Sequence, residues 1–208
     1  MHSKLKHFLQ ESWLLIVASF FFGLLIAVTD AALAPRIEQN RIEKFTNLAK
    51  SLLPQAENFV LLSEPLKIET SGGKTEDMPV YRAVTGDRTL GWVFTITGYG
   101  FADKIDLVVA MDGKFQAVAG YRVLFSNETP NFGDRIKGPY FRDQFAGAPA
   151  GPFTLVTAGD PAKIDSTIVA ITGATISSTA VVDAFNHYLP QVKEQLQQKG
   201  LIGNGNER

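Results

Sequence analysis

"IDLVVAMDGKFQAVAGYRVL", residues 105–124, consists of two apolar, β-branched runs joined at Asp112-Gly113. Asp-Gly readily takes the positive-φ positions of a two-residue turn, so Ile105–Met111 and Lys114–Leu124 are expected to pair as an antiparallel hairpin. Working outward, Val80–Thr85 and Thr89–Thr97 repeat the pattern around Gly86-Asp87. Downstream, residues 126–160 hold Pro130, Pro139, Pro149 and Pro152, a loop-rich stretch long enough to surround a site. Phe141–Gly147 is expected to form a short helix within it. A strand over Ser166–Ile171 then leads into a helix from about Ser177 to Tyr188. Pro190 should start or kink a second helical piece ending near Lys199. These elements describe an α+β domain over residues 55–200: an antiparallel sheet with flanking helices, followed by a flexible tail, 201–208.

The N-terminal quarter has a different texture. Trp13–Thr29 contains no charged residue, and apolar character continues to Ala34 past Asp30. A stretch of roughly 20 mostly apolar residues is long enough to cross a bilayer, so residues 13–34 are expected to be a single transmembrane helix after a cytoplasmic segment, 1–12. A cleavable signal peptide competes with this reading because "AALA", residues 31–34, offers small residues to a peptidase. Pro35 disfavours cleavage there, and the apolar stretch exceeds the usual signal core of about 7–15 residues. Lys4 and Lys6 lie before the span and Arg36, Arg41, Lys44 and Lys50 after it, so charge does not decide its orientation. Over residues 35–54, Ile37, Ile42, Phe45, Leu48, Ala49 and Leu52 have helical spacing, and Pro54 ends the pattern. This segment is expected to be an amphipathic stalk helix packed on the domain.

Composition removes several classes of function. The 20 basic and 21 acidic residues give a net charge of −1, without the basic stripe of a nucleic-acid binder. With no cysteine, disulfides, thiolate metal sites and a cysteine nucleophile are all excluded. His2, His7 and His187 lie at the two ends of the chain and form no metal-ligand pattern. Any redox chemistry would therefore require an organic cofactor.

"ITGATISST", residues 171–179, places five hydroxyl side chains and a glycine before an apolar helical pattern. On local grounds Thr175, Ser177 or Ser178 would cap the helix. The same geometry supports a second reading, in which free N–H groups at the helix start attract a phosphate and a hydroxyl becomes esterified to it. The stretch lacks the Gly-Lys-Ser/Thr ending of a P-loop and is not a G-x-S-x-G elbow.

"TGATISS", residues 172–178, resembles the [S/T]-G-A-T-x-[S/T] flavinylation motif of the FMN-binding domain family. Residues 98–134 resemble that family's upstream stretch, with Gly98, Tyr99, Gly100, Glu128, Thr129, Pro130 and Gly133 in register. Order, spacing and length are most similar to the G subunits of Rnf (Rsx) ion-translocating electron-transport complexes. The C subunits of sodium-pumping NADH:quinone reductases share the motif. The resemblance implies FMN linked through its phosphate to Thr175 by a flavin transferase that uses FAD as donor. It further implies that Thr172, Gly173 and Ala174 shape the loop, and that Ser177 and Ser178 donate to phosphate oxygens. Glu128 and Thr129 would line the isoalloxazine or ribityl chain, with Phe132 against the ring. Other membrane and redox subunits would be partners, and the domain would face the outer side of a bacterial inner membrane. The protein would relay electrons within a translocase, without being a complete enzyme on its own.

Two positions depart from the family pattern. Val169 stands where an acidic residue is common, and Val169→Asp is expected to flavinylate equally well or faster. Asn131-Phe132 replaces the common Gly-Leu. Trp92, Phe94, Tyr99 and Phe101 are expected in the core, with stacking surface as their alternative role. The rival functions are a membrane-tethered FMN-binding sensor or accessory protein, and a non-redox interaction domain in which the hydroxyls only cap a helix.

Overall fold

The computed structural model describes residues 2–203, with side chains from residue 12 onward, so the last five residues of the expected tail lie outside the described residues. The chain divides into two units, Met1–Lys44 and Phe45–Arg208.

Helix α1 spans His2–Leu52 without interruption, passing through Pro35. Its segment Ser12–Leu52 is long and apolar enough to cross a membrane. Trp13, Leu14, Leu15 and Phe20–Phe22 all present exposed apolar surface. An intact helix satisfies its own backbone, which is the condition for lying in hydrocarbon. The expected stalk is only partly packed. Ile37 and Ile42 are exposed, whereas in the second unit Ala49 and Leu52 are buried against Val93, Val108, Ala110 and Leu124.

Among the described residues nine strands follow: β1 (Asn58–Leu61), β2 (Leu66–Glu69), β3 (Thr75–Met78), β4 (Val80–Thr85), β5 (Arg88–Tyr99), β6 (Lys104–Asp112), β7 (Val118–Ser126), β8 (Thr154–Val156) and β9 (Thr167–Val169). Among the described residues, five of them form an antiparallel sheet in the order β1-β4-β5-β6-β7. Gly86-Asp87 makes the expected tight turn, with Thr85 paired to Arg88 and Gly86 at φ +55°. Asp112-Gly113 does not. The Asp112 carboxylate instead accepts N–H groups from Gln116 and Ala117 (2.9 Å to the latter), opening a longer loop. Phe115, at φ +57°, turns inward from that loop and stacks on Phe94 at 6.1 Å. Burial of a phenylalanine, worth roughly 1.5–3 kcal/mol, outweighs the tight-turn preference.

The loop-rich stretch is held in place by aromatic packing. Helix α2 (Pro139–Arg142) and the flanking 3-10 turns Gly133–Lys137 and Asp143–Phe145 replace the helix expected over 141–147. Phe141, Phe145, Phe153, Phe185 and Tyr121 form one cluster, with the Phe145 and Phe185 centroids 4.7 Å apart. The Tyr121 hydroxyl donates to the Ile136 carbonyl at 2.7 Å, and burial pushes its phenol well above the usual range. β8 and β9 pair in parallel, a departure from the antiparallel expectation.

Helix α3 (Thr175–Gln198) lies across the sheet and buries Ala180, Val181, Ala184, Phe185, Tyr188, Leu189, Val192 and Leu196. That spacing is one face of a 3.6-residue period. The helix runs on through Pro190, where a second piece or a kink was expected to begin. An interior proline costs about 3 kcal/mol. Leu189 and Val192 are buried on either side of it, and the amides of Gln191 and Gln195 bond the backbone of Glu69 and Lys67 in β2.

Candidate functional site

A cleft of about 430 Å³ opens where three segments meet: the turn after β5, the loop after β7 and the first turn of α3. This volume falls within the usual range for small-molecule sites, about 300–1,000 Å³. Gly98, Gly100 and Gly133 bring these segments together. A Cβ on Gly98 would collide with the Ala180 carbonyl of α3. One on Gly100 would stand 2.8 Å from the Glu128 carboxyl carbon, and one on Gly133 would stand 2.5 Å from the Ser177 hydroxyl.

The motif loop has a defined backbone. Gly173 sits at φ +80°, and the Ala174 N–H donates to the Ile171 carbonyl at 2.9 Å. α3 then begins at Thr175 behind Ala174, whose side chain cannot cap and which makes no capping hydrogen bond. The capping role expected for Thr175, Ser177 or Ser178 is therefore not filled. This 24-residue helix starts without a side-chain cap, no acidic residue lies in its first turn, and Thr175, Ile176 and Ser177 of that turn line the cleft. Such an end favours an anion.

The five hydroxyls separate clearly. Thr175 is exposed and lines the cleft, and its hydroxyl has no hydrogen-bond partner among the described residues. Thr172 is exposed but does not line the cleft. Ser178 is fully buried behind it, donating to the Ala174 carbonyl at 2.9 Å and accepting the Ile171 N–H at 3.1 Å. It serves the loop and cannot reach a phosphate in the cleft, contrary to expectation. Ser177 is also buried, and its hydroxyl donates to Glu128. Thr179 lies further along the helix, half-buried.

Glu128 is 6% exposed, and its carboxylate is engaged on both oxygens. One accepts from Ser177 and the other from the Ala102 N–H at 2.9 Å. Burial alone would push this carboxyl up. Hydrogen bonds from Ser177 and from the backbone of Ala102, Phe101 and Asp103 outweigh it and hold the carboxyl below the usual glutamate range.

Thr129 and Phe132 line the cleft, and Phe132 is 55% exposed. Asn131 takes φ +64°, a left-handed conformation that glycine adopts freely and asparagine tolerates. The substitution thus preserves the turn. Trp92 and Phe94 are core residues, but Tyr99 and Phe101 are 63% and 71% exposed, against expectation. The sheet ends near them, and Phe101 forms one apolar wall of the cleft with Ile176 nearby.

Sequence reasoning missed Gln144. Its buried amide accepts the Val169 N–H at 2.7 Å and donates to the Val169 and Tyr140 carbonyls, serving as a strand partner for the segment that leads into the motif. A glutamine in a loop gives no sequence signal for such a role. Val169 itself is buried, and its side chain would lie only 3.0 Å from a Cβ on Gly159. An aspartate there would have to bury its charge, so the geometry reverses the expectation for Val169→Asp.

Residues 100–190 match the FMN-binding domain family. The chain is 30% identical over 187 residues to the G subunit of the ion-translocating oxidoreductase complex of Methanosarcina acetivorans, covering 87% of this chain and 92% of that one. This chain belongs to the G-subunit family of ion-translocating oxidoreductase complexes. It is also 29% identical to the G subunit of the Na(+)-translocating ferredoxin:NAD(+) oxidoreductase complex of Acetobacterium woodii, over 83% of this chain and 86% of the relative. The crystal structure of Shewanella oneidensis NqrC shares the fold, with a TM-score of 0.55 at 20% identity over 69% of this chain and 72% of that one. In this G-subunit family member, the motif loop, the Glu128 loop and Phe132 all fall inside the FMN-binding domain.

Proposed function

We propose that this member of the G-subunit family is a membrane-anchored electron carrier whose FMN is joined by a phosphoester to Thr175. The observation that carries the proposal is the state of Thr175: an exposed hydroxyl without a partner among the described residues, at the uncapped start of a long helix, inside a cleft with apolar walls. The residues present fit the group. The α3 N–H groups would hold the phosphate, Gly173 and Ala174 would let it approach the backbone, and Thr172 would support the loop from outside the cleft. Thr129 and Phe132 would contact the ring system from the opposite side, with Phe101 excluding water.

In the attachment step, the Thr175 oxygen forms a bond to the phosphorus of the FMN half of FAD. The bond from that phosphorus to the bridging oxygen breaks, AMP leaves with the electron pair, and the threonine proton passes to solvent. A flavin transferase would catalyse this step. Once bound, the flavin supplies reversible electron transfer, while the chain supplies position and electrostatics. α1 would anchor the domain on the outer side of a bacterial inner membrane, beside the other membrane and redox subunits of an Rnf-type translocase.

Coexpression with a flavin transferase tests this reading. The denatured band should fluoresce under ultraviolet light and carry the mass of one FMN. Thr175→Ala should lose both signals, whereas Thr172→Ala should reduce them. Full fluorescence in Thr175→Ala would overturn the assignment.

A further inference from the structure

Glu128 lines the cleft and joins its walls, with both carboxylate oxygens already engaged by the chain. Its carboxylate bridges the Ser177 hydroxyl on α3 and the Ala102 N–H in the turn after β5, while its own backbone belongs to the loop that carries Thr129 and Phe132. Gly100 and Gly133 close on this carboxylate so tightly that a Cβ on either would collide with it. Steric closure and hydrogen bonding, two independent features, therefore converge on one side chain. The Ser177 hydroxyl, also at the cleft, gives its one proton to this carboxylate.

We infer that Glu128 is a positioning residue: it clamps the Phe101-bearing turn and the Phe132-bearing loop to the first turn of α3, setting the width of the cleft, and it does not itself contact the flavin. The clamp is a property of the chain alone, and its purpose rests on the FMN reading above. With the clamp intact, Phe101 and Phe132 line one cleft whose width is set before any ligand enters. Without it, the turn at residues 100–103 is released from the helix while the sheet core stays folded, because Leu107 and Val109 are fully buried in the large apolar cluster.

The test uses the full-length chain in detergent, with and without transferase, as wild type, Glu128→Ala, Glu128→Gln, Ser177→Ala and the double alanine variant. In the flavin-free chain, amide exchange at Ala102 should accelerate about ten- to a hundredfold in Glu128→Ala, the value of a lost charge-assisted hydrogen bond. Exchange at Leu107 and Val109 should stay unchanged. Ser177→Ala should move Ala102 in the same direction by a smaller factor, and Glu128→Gln, which keeps an acceptor oxygen, should fall between wild type and Glu128→Ala. In the flavinylated chain, the fluorescence anisotropy of the FMN should drop in the same rank order. The double variant should be no worse than Glu128→Ala, because both changes break one clamp.

Lowered anisotropy in Glu128→Ala with unchanged Ala102 exchange would overturn the inference, as would additive losses in the double variant. Either result makes Glu128 a direct flavin contact. If wild type accepts no flavin, the FMN reading fails, and Ala102 exchange in the unmodified chain still decides the clamp. If Glu128→Ala does not fold, Glu128→Gln and Ser177→Ala carry the same comparison.

Discussion

The two ends of α3 are built in opposite ways. At the C-terminal end the backbone closes on itself: Lys199, Gly200 and Leu201 donate to the carbonyls of Gln195, Gln197 and Leu196, with Gly200 at φ +66°. At the N-terminal end no side chain caps the helix, and the residue at the cap position is an alanine in a chain rich in nearby hydroxyls. A capping serine at position 174 would add about 1 kcal/mol of stability. Its absence leaves N–H groups and the Thr175 hydroxyl open to the cleft. One end of the helix is finished for stability, and the other is left for a ligand.

The largest expected effect comes from removing the open hydroxyl at the start of α3. Thr175→Ala should eliminate covalent flavin while leaving the unfolding of the flavin-free chain within about 0.5 kcal/mol of wild type, as for an exposed side chain without partners. A matching loss of stability, measured by denaturant unfolding, would mean that Thr175 also serves the helix.

Val169→Asp tests the strand that delivers the motif. Burying a carboxylate beside Gly159 should cost on the order of 3 kcal/mol in denaturant unfolding. Flavinylation should fall with it. Wild-type stability in this variant would show that the strand opens enough to hydrate the new charge.

At the closed end, Gly200→Ala places a Cβ on a left-handed backbone and should cost about 1 kcal/mol, with flavin loading unchanged. Reduced loading would mean that the two ends of α3 are coupled through the helix.

The smallest effect is a pH dependence. The Glu128 carboxyl is held below its ordinary range in the folded chain, so its contribution is complete above the ordinary glutamate value. It is lost as pH falls through that value toward the depressed one. Unfolding midpoints of the flavin-free chain, followed from neutral pH to about 3, should decline more steeply in wild type than in Glu128→Gln. Parallel curves would indicate that Glu128 is equally stabilised in the unfolded chain.

Much of the fold and of the site is legible along the chain. The apolar N-terminal span, the strands centred on β5 and β6, the Gly86-Asp87 turn and the long amphipathic helix follow from periodicities of two and 3.6 residues, which are local properties. Thr175, Thr129 and Phe132 were implied as site residues by the resemblance of the "TGAT" motif and the stretch upstream, and all three line one cleft. The errors lie where a local preference meets a distant contact. Asp112-Gly113 lost its tight turn to the burial of Phe115, and Pro190 failed to break a helix held by β2 and the core. Tyr99 and Phe101 read as core residues because an alternating strand pattern does not say where the sheet ends.

The sequence by itself determined that this chain has an apolar N-terminal stretch long enough to cross a membrane, a mostly antiparallel domain and a hydroxyl-rich helix start, because hydrophobic period and residue chemistry are written along the chain. Only the tertiary structure separated the five hydroxyls. Ser178 was turned inward by the Ile171 and Ala174 backbone, Ser177 was taken by Glu128, Thr172 was left outside the cleft, and Thr175 remained free within it. Which hydroxyl is available depends on partners up to 49 residues away, and those distances close only when the chain folds.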